Sequence, residues 1–152
     1  MPDATELVHA TCVALGQAAA LLRGPSGSGK SDLALRFINL ARRGPAALNR
    51  PLLVADDQVR LRAQAGRLWA AAPAATRGKL EVRGVGIVEV PTLAEAEVKL
   101  VVDLVAASEV ERLPLAEARA LVCGVETALL RLAAREPSAP IKLALALARA
   151  HA

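Results

Sequence analysis

Eight consecutive residues near the N-terminus have the types and spacing of a phosphate-binding loop. Residues 24–31 read Gly24-Pro25-Ser26-Gly27-Ser28-Gly29-Lys30-Ser31, which is the pattern G-x-x-x-x-G-K-S. Glycines let successive backbone amides turn inward around phosphate oxygens, Lys30 can reach the terminal phosphates, and the Ser31 hydroxyl can coordinate Mg²⁺. The sequence therefore predicts a binding site for a nucleotide, or another polyphosphate, together with Mg²⁺.

Two adjacent carboxylates, Asp56 and Asp57, follow an apolar run that begins at Leu52. After a phosphate-binding loop, a carboxylate at the end of a strand can hold the metal ion or its water. A second carboxylate can take the proton of an incoming hydroxyl. Because neighbouring side chains of an extended chain point in opposite directions, we expect only one of the two to face the phosphates directly. A solvated pair in a turn is the alternative interpretation.

A third cluster combines charge with glycine in the segment Glu81-Val82-Arg83-Gly84-Val85-Gly86. In an extended chain Glu81 and Arg83 share one face, where a carboxylate and a guanidinium suit a metal ion beside a phosphate. The two glycines allow a bend or a close approach of another backbone. A surface ion pair beside a bulge is the alternative.

Two isolated side chains are further candidates. His9 can reach the phosphates or tune the base if its strand lies beside the strand before the loop; otherwise it is an ordinary structural or solvent-facing histidine. Lys142 follows Ser138-Ala139-Pro140. It is either a solvated lysine at a helix start or a cation that closes on the transferred group.

A sheet is needed to bring these residues together. The patterns predict strands at 8–15 and 18–23, joined by a tight turn at Gly16-Gln17, and a helix from Ser31 to just before Gly44. Further strands are predicted at 52–55, 59–63, 68–71, 80–83, 87–90, 98–105, 118–123 and 129–133, with helix as the alternative for the last two. A second helix is predicted at 141–150, where the alternation of leucine with alanine also permits a strand. We expect an α/β fold in one domain, 1–152, with a mixed sheet and a strand–loop–helix unit at the phosphate site.

Composition narrows the function classes. The chain has 152 residues, 54% apolar, with one Phe, one Trp and no Tyr. This composition argues against disorder and against aromatic platforms for single-stranded nucleic acid. The net charge of +4 suits an anionic substrate or an acidic protein partner. Cys12 and Cys123 lack metal-site spacing. No signal peptide or membrane span is predicted, so we expect a cytoplasmic protein.

The order of these motifs resembles the catalytic domain of the HPr kinase/phosphorylase family. The likeness covers roughly residues 7–105. It is carried by His9 with its hairpin, the loop at 24–31, Leu53-Val54-Ala55-Asp56-Asp57 and Leu80-Glu81-Val82-Arg83-Gly84-Val85-Gly86-Ile87-Val88. The last of these segments is the most specific, because phosphate-binding loops occur in many families. The chain is similar to the short proteobacterial form, which lacks the N-terminal domain of longer members.

This resemblance implies a fold similar to the nucleotide-binding part of phosphoenolpyruvate carboxykinase. It implies an ATP-dependent serine kinase acting on an HPr-type phosphocarrier protein of a phosphotransferase system, with pyrophosphate as a further donor and phosphorolysis of the phosphoserine as the reverse reaction. Members are hexameric, which implies a homo-oligomer. Roles carry over to the matching positions as follows: His9 with Asp56 or Asp57 for acid–base chemistry, residues 24–31 for phosphates, Ser31 and Glu81 for Mg²⁺, and Arg83 for phosphate or partner.

One departure from the family pattern lies near the C-terminus. Longer members carry a P-x-x-P-G-R-N-like segment whose arginine assists catalysis, whereas residues 137–142 contain no arginine. Lys142 is a candidate substitute. Two other functions stay open: a small-molecule kinase of the nucleoside or shikimate type, and a non-catalytic sensor of nucleotide or phosphate. No arginine-rich lid segment is apparent, which favours the protein kinase.

Overall fold

The structure is a computed structural model that describes residues 5–40, 50–113 and 117–151. Its elements in chain order are β1 (Thr5–His9), β2 (Thr11–Leu15), β3 (Ala18–Arg23), α1 (Lys30–Ile38), β4 (Pro51–Ala55), β5 (Gln58–Gln64), β6 (Arg67–Ala71), β7 (Lys79–Val82), β8 (Gly86–Glu89), β9 (Ala96–Leu104), β10 (Arg119–Val122), β11 (Val125–Leu132) and α2 (Ala139–His151). No helix among these ranges has the length and apolar content needed to cross a membrane.

A mixed sheet organises the described residues, in the order β1-β5-β6-β9-β3-β2-β4, and the β10–β11 hairpin joins it through β11. The central strand β9 runs parallel to β3 and β11 and antiparallel to β6. Parallel strands end at the same edge of a sheet, so the chain leaves β3, β9 and β11 on one side. Because the loop at 24–31 starts where β3 ends, that edge is where a ligand site is expected. The predicted α/β fold with a mixed sheet and a strand–loop–helix unit is confirmed.

Both faces of the sheet are covered by apolar side chains. On one face the helices pack through residues four positions apart, Leu33 with Phe37 on α1 and Leu143 with Leu147 on α2. Leu145 lies between the last two and is exposed, which is helical spacing rather than strand alternation. On the other face, side chains of β5 and β6 pack with those of β3. The outer strands therefore fold over the central ones.

The strand predicted at 8–15 is two strands. Ala10 separates β1, which pairs with β5, from β2, which pairs with β3 and β4. The Ala10 N–H donates to the carbonyl of Asp57 at 3.2 Å. Continuous apolar patterning cannot show that two halves of a run pair with different strands. The separation places His9, the last residue of β1, next to the start of β5.

The first helix is shorter than predicted. The structure ends α1 at Ile38, and the Asn39 side chain donates to the carbonyl of Leu35 at 2.8 Å, which competes with continuation of the helix. The predicted remainder of this helix from residue 41 lies outside the described residues. The second helix is confirmed, with bounds Ala139–His151.

Candidate active site

The phosphate-binding loop adopts a conformation that depends on its glycines. Gly27 and Gly29 have φ angles of 82° and 96°, a left-handed backbone conformation that residues other than glycine rarely adopt. A Cβ on Gly24 would lie 2.6 Å from the Ser28 hydroxyl oxygen. Gly29 is also the N-cap of α1. The tight loop therefore delivers the chain into the N-terminus of a helix, where unpaired amides favour an anion.

The ammonium group of Lys30 sits inside this loop. Its Nζ donates to the carbonyls of Gly24 at 2.6 Å and Pro25 at 3.0 Å, and lies 3.5 Å from the Ser28 hydroxyl. The residue is buried, so the positive charge is held in place by backbone oxygens. A fixed cation in a closed loop is the arrangement that phosphate binding requires.

Asp56 lies behind the loop and is 6% exposed. Its Oδ1 accepts hydrogen bonds from the hydroxyls of Ser31 at 2.6 Å and Thr11 at 3.1 Å, and its Oδ2 accepts the Glu81 N–H at 3.4 Å. These bonds join the start of α1, β2 and β7 to one carboxylate. Asp56 therefore connects the loop to the hairpin formed by β7 and β8.

Asp57 has a different environment from its neighbour. Its φ of 70° places the backbone in the left-handed region, which turns its side chain away from the interior. That side chain is 69% exposed, and its Oδ1 lies 3.3 Å from Nδ1 of His9. The pair is held at the meeting of β1 and β5, where the Ala10 N–H binds the Asp57 carbonyl. This is a carboxylate with an orienting imidazole, open to an incoming group.

A cavity of about 730 Å³ brings these features together. It is lined by Ser26, Gly27, Gly29, Lys30 and Ser31 from the loop, by His9 and Asp57, and by residues 81–86 of the hairpin. Of the predicted site residues, Gly24, Pro25, Ser28 and Asp56 do not line this cavity. The first three contact the Lys30 ammonium. Three clusters that are far apart in sequence therefore meet in one cavity.

The third cluster forms the turn of the β7–β8 hairpin. Glu81 and Arg83 both line the cavity. Gly84 and Gly86 have φ angles of 87° and 119°, so the turn requires glycine at both positions. Val85, between them, is 74% exposed. The hairpin therefore presents a carboxylate, a guanidinium and an apolar tip at the cavity mouth.

Four cavity-lining residues were not predicted from the sequence. Arg135 donates from Nη2 to the carbonyl of Gly27 at 3.0 Å, and Thr11, Asp32 and Leu35 also line the cavity. Arg135 follows β11, which runs parallel to β9, so its place at the ligand edge could have been found had the strand direction been known. Lys142 lies outside the cavity lining, and its Nζ is 2.6 Å from Oε2 of Glu136.

The oxygen donors around Ser31 fit Mg²⁺ in kind. The Ser31 hydroxyl and the Asp56 carboxylate lie 2.6 Å apart, and Glu81 lines the same cavity. Mg²⁺ commonly uses one or two carboxylates together with waters and substrate phosphates rather than a complete protein cage. The described residues contain no group of three or more His, Cys, Asp or Glu side chains that could hold a metal ion.

Comparison with known proteins gives one family. The model of the HPr Serine kinase C-terminal domain family matches residues 3–147. The HPr kinase/phosphorylase of Clostridium tetani is 44% identical over 73 residues, which are 48% of this chain and 21% of that protein. The HPr kinase/phosphorylase of Clostridium botulinum strain Eklund 17B is 36% identical over 101 residues, 62% of this chain and 30% of that protein. The chain thus spans less than a third of these relatives.

A solved structure supports the fold over nearly the whole chain. The HPr(Ser) kinase/phosphatase from Coxiella burnetii superposes with a TM-score of 0.74 at 23% identity, covering 96% of this chain and 95% of that one. At this level of identity the likeness establishes the fold. The match to the family model extends over most of the sequence and includes all three clusters of the cavity. This chain therefore belongs to the HPr serine kinase C-terminal domain family.

Proposed function

We propose that the protein is an ATP-dependent serine kinase that phosphorylates an HPr-type phosphocarrier protein of a phosphotransferase system. The observation that carries this proposal is the shared cavity: the loop with Lys30 and Ser31 lines it together with the exposed Asp57–His9 pair. A phosphate-binding group and a base facing one space are the two requirements of phosphoryl transfer to a hydroxyl. The names of the relatives support the choice of acceptor.

On the donor side, the loop holds the phosphate chain of ATP. Its amides and the Lys30 ammonium, now bound to the Gly24 and Pro25 carbonyls, bind phosphate oxygens when nucleotide enters. Mg²⁺, with Ser31, Asp56 and Glu81 as its protein ligands or neighbours, would supply further neutralisation of the phosphate charge. Little covalent chemistry falls to the protein here, because positioning and charge neutralisation dominate this reaction.

On the acceptor side, Asp57 takes the proton of the partner's serine hydroxyl. The hydroxyl oxygen forms a bond to the γ-phosphorus, the bond from that phosphorus to the β–γ bridging oxygen breaks, and ADP leaves. His9, 3.3 Å from the Asp57 carboxylate, orients it, and Arg83 at the cavity mouth binds the transferred group or the partner. Phosphorolysis uses the same groups in reverse: inorganic phosphate attacks the phosphoserine, serine recovers the proton, and pyrophosphate is released.

The test is transfer of label from γ-labelled ATP to the HPr-like carriers of the host. We expect labelled phosphoserine with the natural protein, and a loss of roughly 10² to 10⁴ in rate with Asp57→Asn, which removes the base. ATP affinity, measured by calorimetry, should be retained by this variant. Glu126→Gln, at an exposed position on β11 outside the cavity lining, is the control and should transfer at the natural rate.

Other outcomes would favour the other functions. Bound ATP without label on any carrier would refute the proposed activity. Consumption of ATP with a panel of metabolites, in the absence of a carrier, would indicate a small-molecule kinase. Retained regulation of a partner by the Asp56→Asn, Asp57→Asn double variant would indicate a nucleotide sensor that does not need the chemistry.

A further inference from the structure

We propose that Arg135 binds the phosphate chain of the donor and that Arg36 holds it in position to do so. The proposal rests on the proposed function, since it needs a phosphate chain in the cavity. It assigns Arg135 as a residue that touches substrate and Arg36 as a positioning residue that acts through it.

Arg135 lies beside the phosphate-binding loop. It follows β11, lines the cavity, and donates from Nη2 to the Gly27 carbonyl at 3.0 Å. A guanidinium carries five N–H donors, so this bond leaves others available for an anion. Hydrogen bonds from a cation to a charged oxygen are roughly twice as strong as neutral ones. An arginine bonded to the tip of a phosphate-binding loop is therefore placed to bind what the loop binds.

Hydrogen bonds from Arg36 hold the segment around Arg135. Arg36, on α1, donates from Nη1 to the carbonyl of Glu136 at 3.1 Å and from Nη2 to the carbonyl of Ala134. These carbonyls belong to the two residues that flank Arg135 in the sequence. The Nε of Arg36 binds Asp32 at 3.0 Å, which orients the guanidinium. Arg36 does not line the cavity, so it acts on a ligand either through this segment or through Asp32, which does line the cavity.

The same segment also packs directly on the phosphate-binding loop. A Cβ added to Gly29 would lie 3.2 Å from the Cβ of Ala134. The chain at 134–136 is therefore fixed between α1 and the loop. Binding therefore needs no further ordering of this backbone, which favours affinity.

The charges around Arg135 also favour binding of an anion. Glu136 is adjacent to Arg135 in sequence, but its carboxylate is paired with Lys142 at 2.6 Å. Among the described residues, Arg135 has no carboxylate within ion-pair distance. Lys142 thus neutralises the carboxylate that is adjacent to Arg135 in the sequence. The positive charge of Arg135 faces a cavity that also contains Lys30 and Arg83.

The experiment measures binding of pyrophosphate and of ATP by calorimetry in Mg²⁺ buffer. Pyrophosphate has no nucleoside, so its affinity reports on phosphate contacts alone. We expect Arg135→Gln to lower the affinity for both ligands by about tenfold or more, as loss of a charged hydrogen bond does. Arg135→Lys keeps the charge but not the planar fork of donors, so its affinity should lie between those of the natural protein and Arg135→Gln. Arg67→Gln, an exposed arginine at the start of β6 outside the cavity lining, is the charge-matched control.

Arg36 is tested by a double-mutant cycle. Arg36→Gln should weaken pyrophosphate binding, and combining it with Arg135→Gln should weaken it no further than Arg135→Gln alone, because both changes remove one interaction. Thermal unfolding checks that each variant is folded. If Arg36→Gln does not fold, Arg36→Lys takes its place in the cycle. Additive losses in the cycle would overturn the positioning role, because a general structural effect is independent of Arg135.

Failure of the inference is distinct from failure of the proposed function. If the natural protein binds pyrophosphate and ATP and Arg135→Gln binds both equally well, the assignment of Arg135 is wrong while the kinase proposal stands. If the natural protein binds neither ligand, both proposals fall.

Discussion

The loop at 24–31 and the turn between β7 and β8 line the same cavity, but the rest of the fold holds them very differently. The loop is bonded from within by Lys30 and from outside by Arg135. The hairpin is a two-stranded sheet, and within the described part of the chain its strands pair only with each other. Its tip exposes Val85 at 74% and Ile87 at 71%, although Leu80 at its base is buried.

This difference matches the two kinds of ligand that the proposed reaction needs. Groups that stabilise phosphate charge work best when they are fixed before the ligand arrives. A surface that receives another protein benefits from exposed apolar side chains that become buried on contact. The loop therefore suits the small donor, and the hairpin suits a macromolecular acceptor.

The largest expected effect comes from removing the charge inside the loop. Lys30→Met keeps the packing of a buried side chain but removes the ammonium that binds the Gly24 and Pro25 carbonyls. We expect phosphoryl transfer to fall by about 100-fold or more, since a preorganised donor to the transferring group is lost. Steady-state transfer rates measure this. A variant with the natural rate would show that the loop is not the donor side.

The second effect concerns Asp56, the carboxylate that connects the phosphate-binding loop to the β7–β8 hairpin. Asp56→Ala leaves the hydroxyls of Thr11 and Ser31 without their acceptor. We expect the free energy of unfolding to fall by about 1–3 kcal/mol, measured by urea denaturation. Asp57→Ala, at the exposed neighbour, should change it by less than about 0.5 kcal/mol. Equal losses at both positions would mean that Asp56 has no special structural role.

The third effect tests whether the β7–β8 hairpin receives the partner protein. Ile87→Ser should raise the KM for the carrier protein by about fivefold and leave the KM for ATP unchanged, since this exposed side chain does not line the cavity. Leu145→Ser on α2 is the matched control, because that leucine is also exposed. A rise in the KM for ATP instead would place the hairpin on the donor side.

The smallest effect reports on β1, which brings His9 to the cavity. Burial, the hydrogen bond that Cys123 donates to Glu6 on β1, and the charge of Glu6 raise the pKa of the Cys123 thiol to about 11. The thiol is therefore protonated at pH 8 and gains reactivity as the pH rises toward that value. Glu6→Gln should lower this pKa and speed alkylation of Cys123 a few-fold at pH 9, measured by mass spectrometry. An unchanged rate would mean that β1 does not hold Glu6 beside Cys123.

Much of the site could be predicted because its chemistry is local in sequence. The spacing in Gly24 to Ser31 and the glycines at 84 and 86 reflect backbone conformations that few other residues adopt. The turn at Gly16-Gln17 and the Asp pair after β4 follow from similar local rules. The sequence also shows that Asp56 and Asp57 are adjacent, but their environments depend on the left-handed φ of Asp57 and on Thr11, which belongs to another strand.

The residues that were missed depend on contacts distant in sequence. Arg135 reaches Gly27, 108 positions away, and Arg36 reaches Glu136, 100 positions away. Nothing in the local pattern around Arg135 indicates that β11 runs parallel to β9 and ends at the loop. The division of the first strand at Ala10 was missed for the same reason, because β5 and β3 select its two halves through pairing.

That division makes β1 an edge strand, bonded on one side to β5 and largely exposed, whereas β2 is buried between β3 and β4. Segments with few buried contacts open at a lower free-energy cost than the core, so β1 can peel from the sheet while β2 stays in place. His9 would leave with it, whereas the loop and Asp56 depend on β2, β3 and α1. In the proposed mechanism this local opening would remove the imidazole that orients Asp57 and leave the phosphate-binding loop in place, a state that amide hydrogen exchange along β1 would detect.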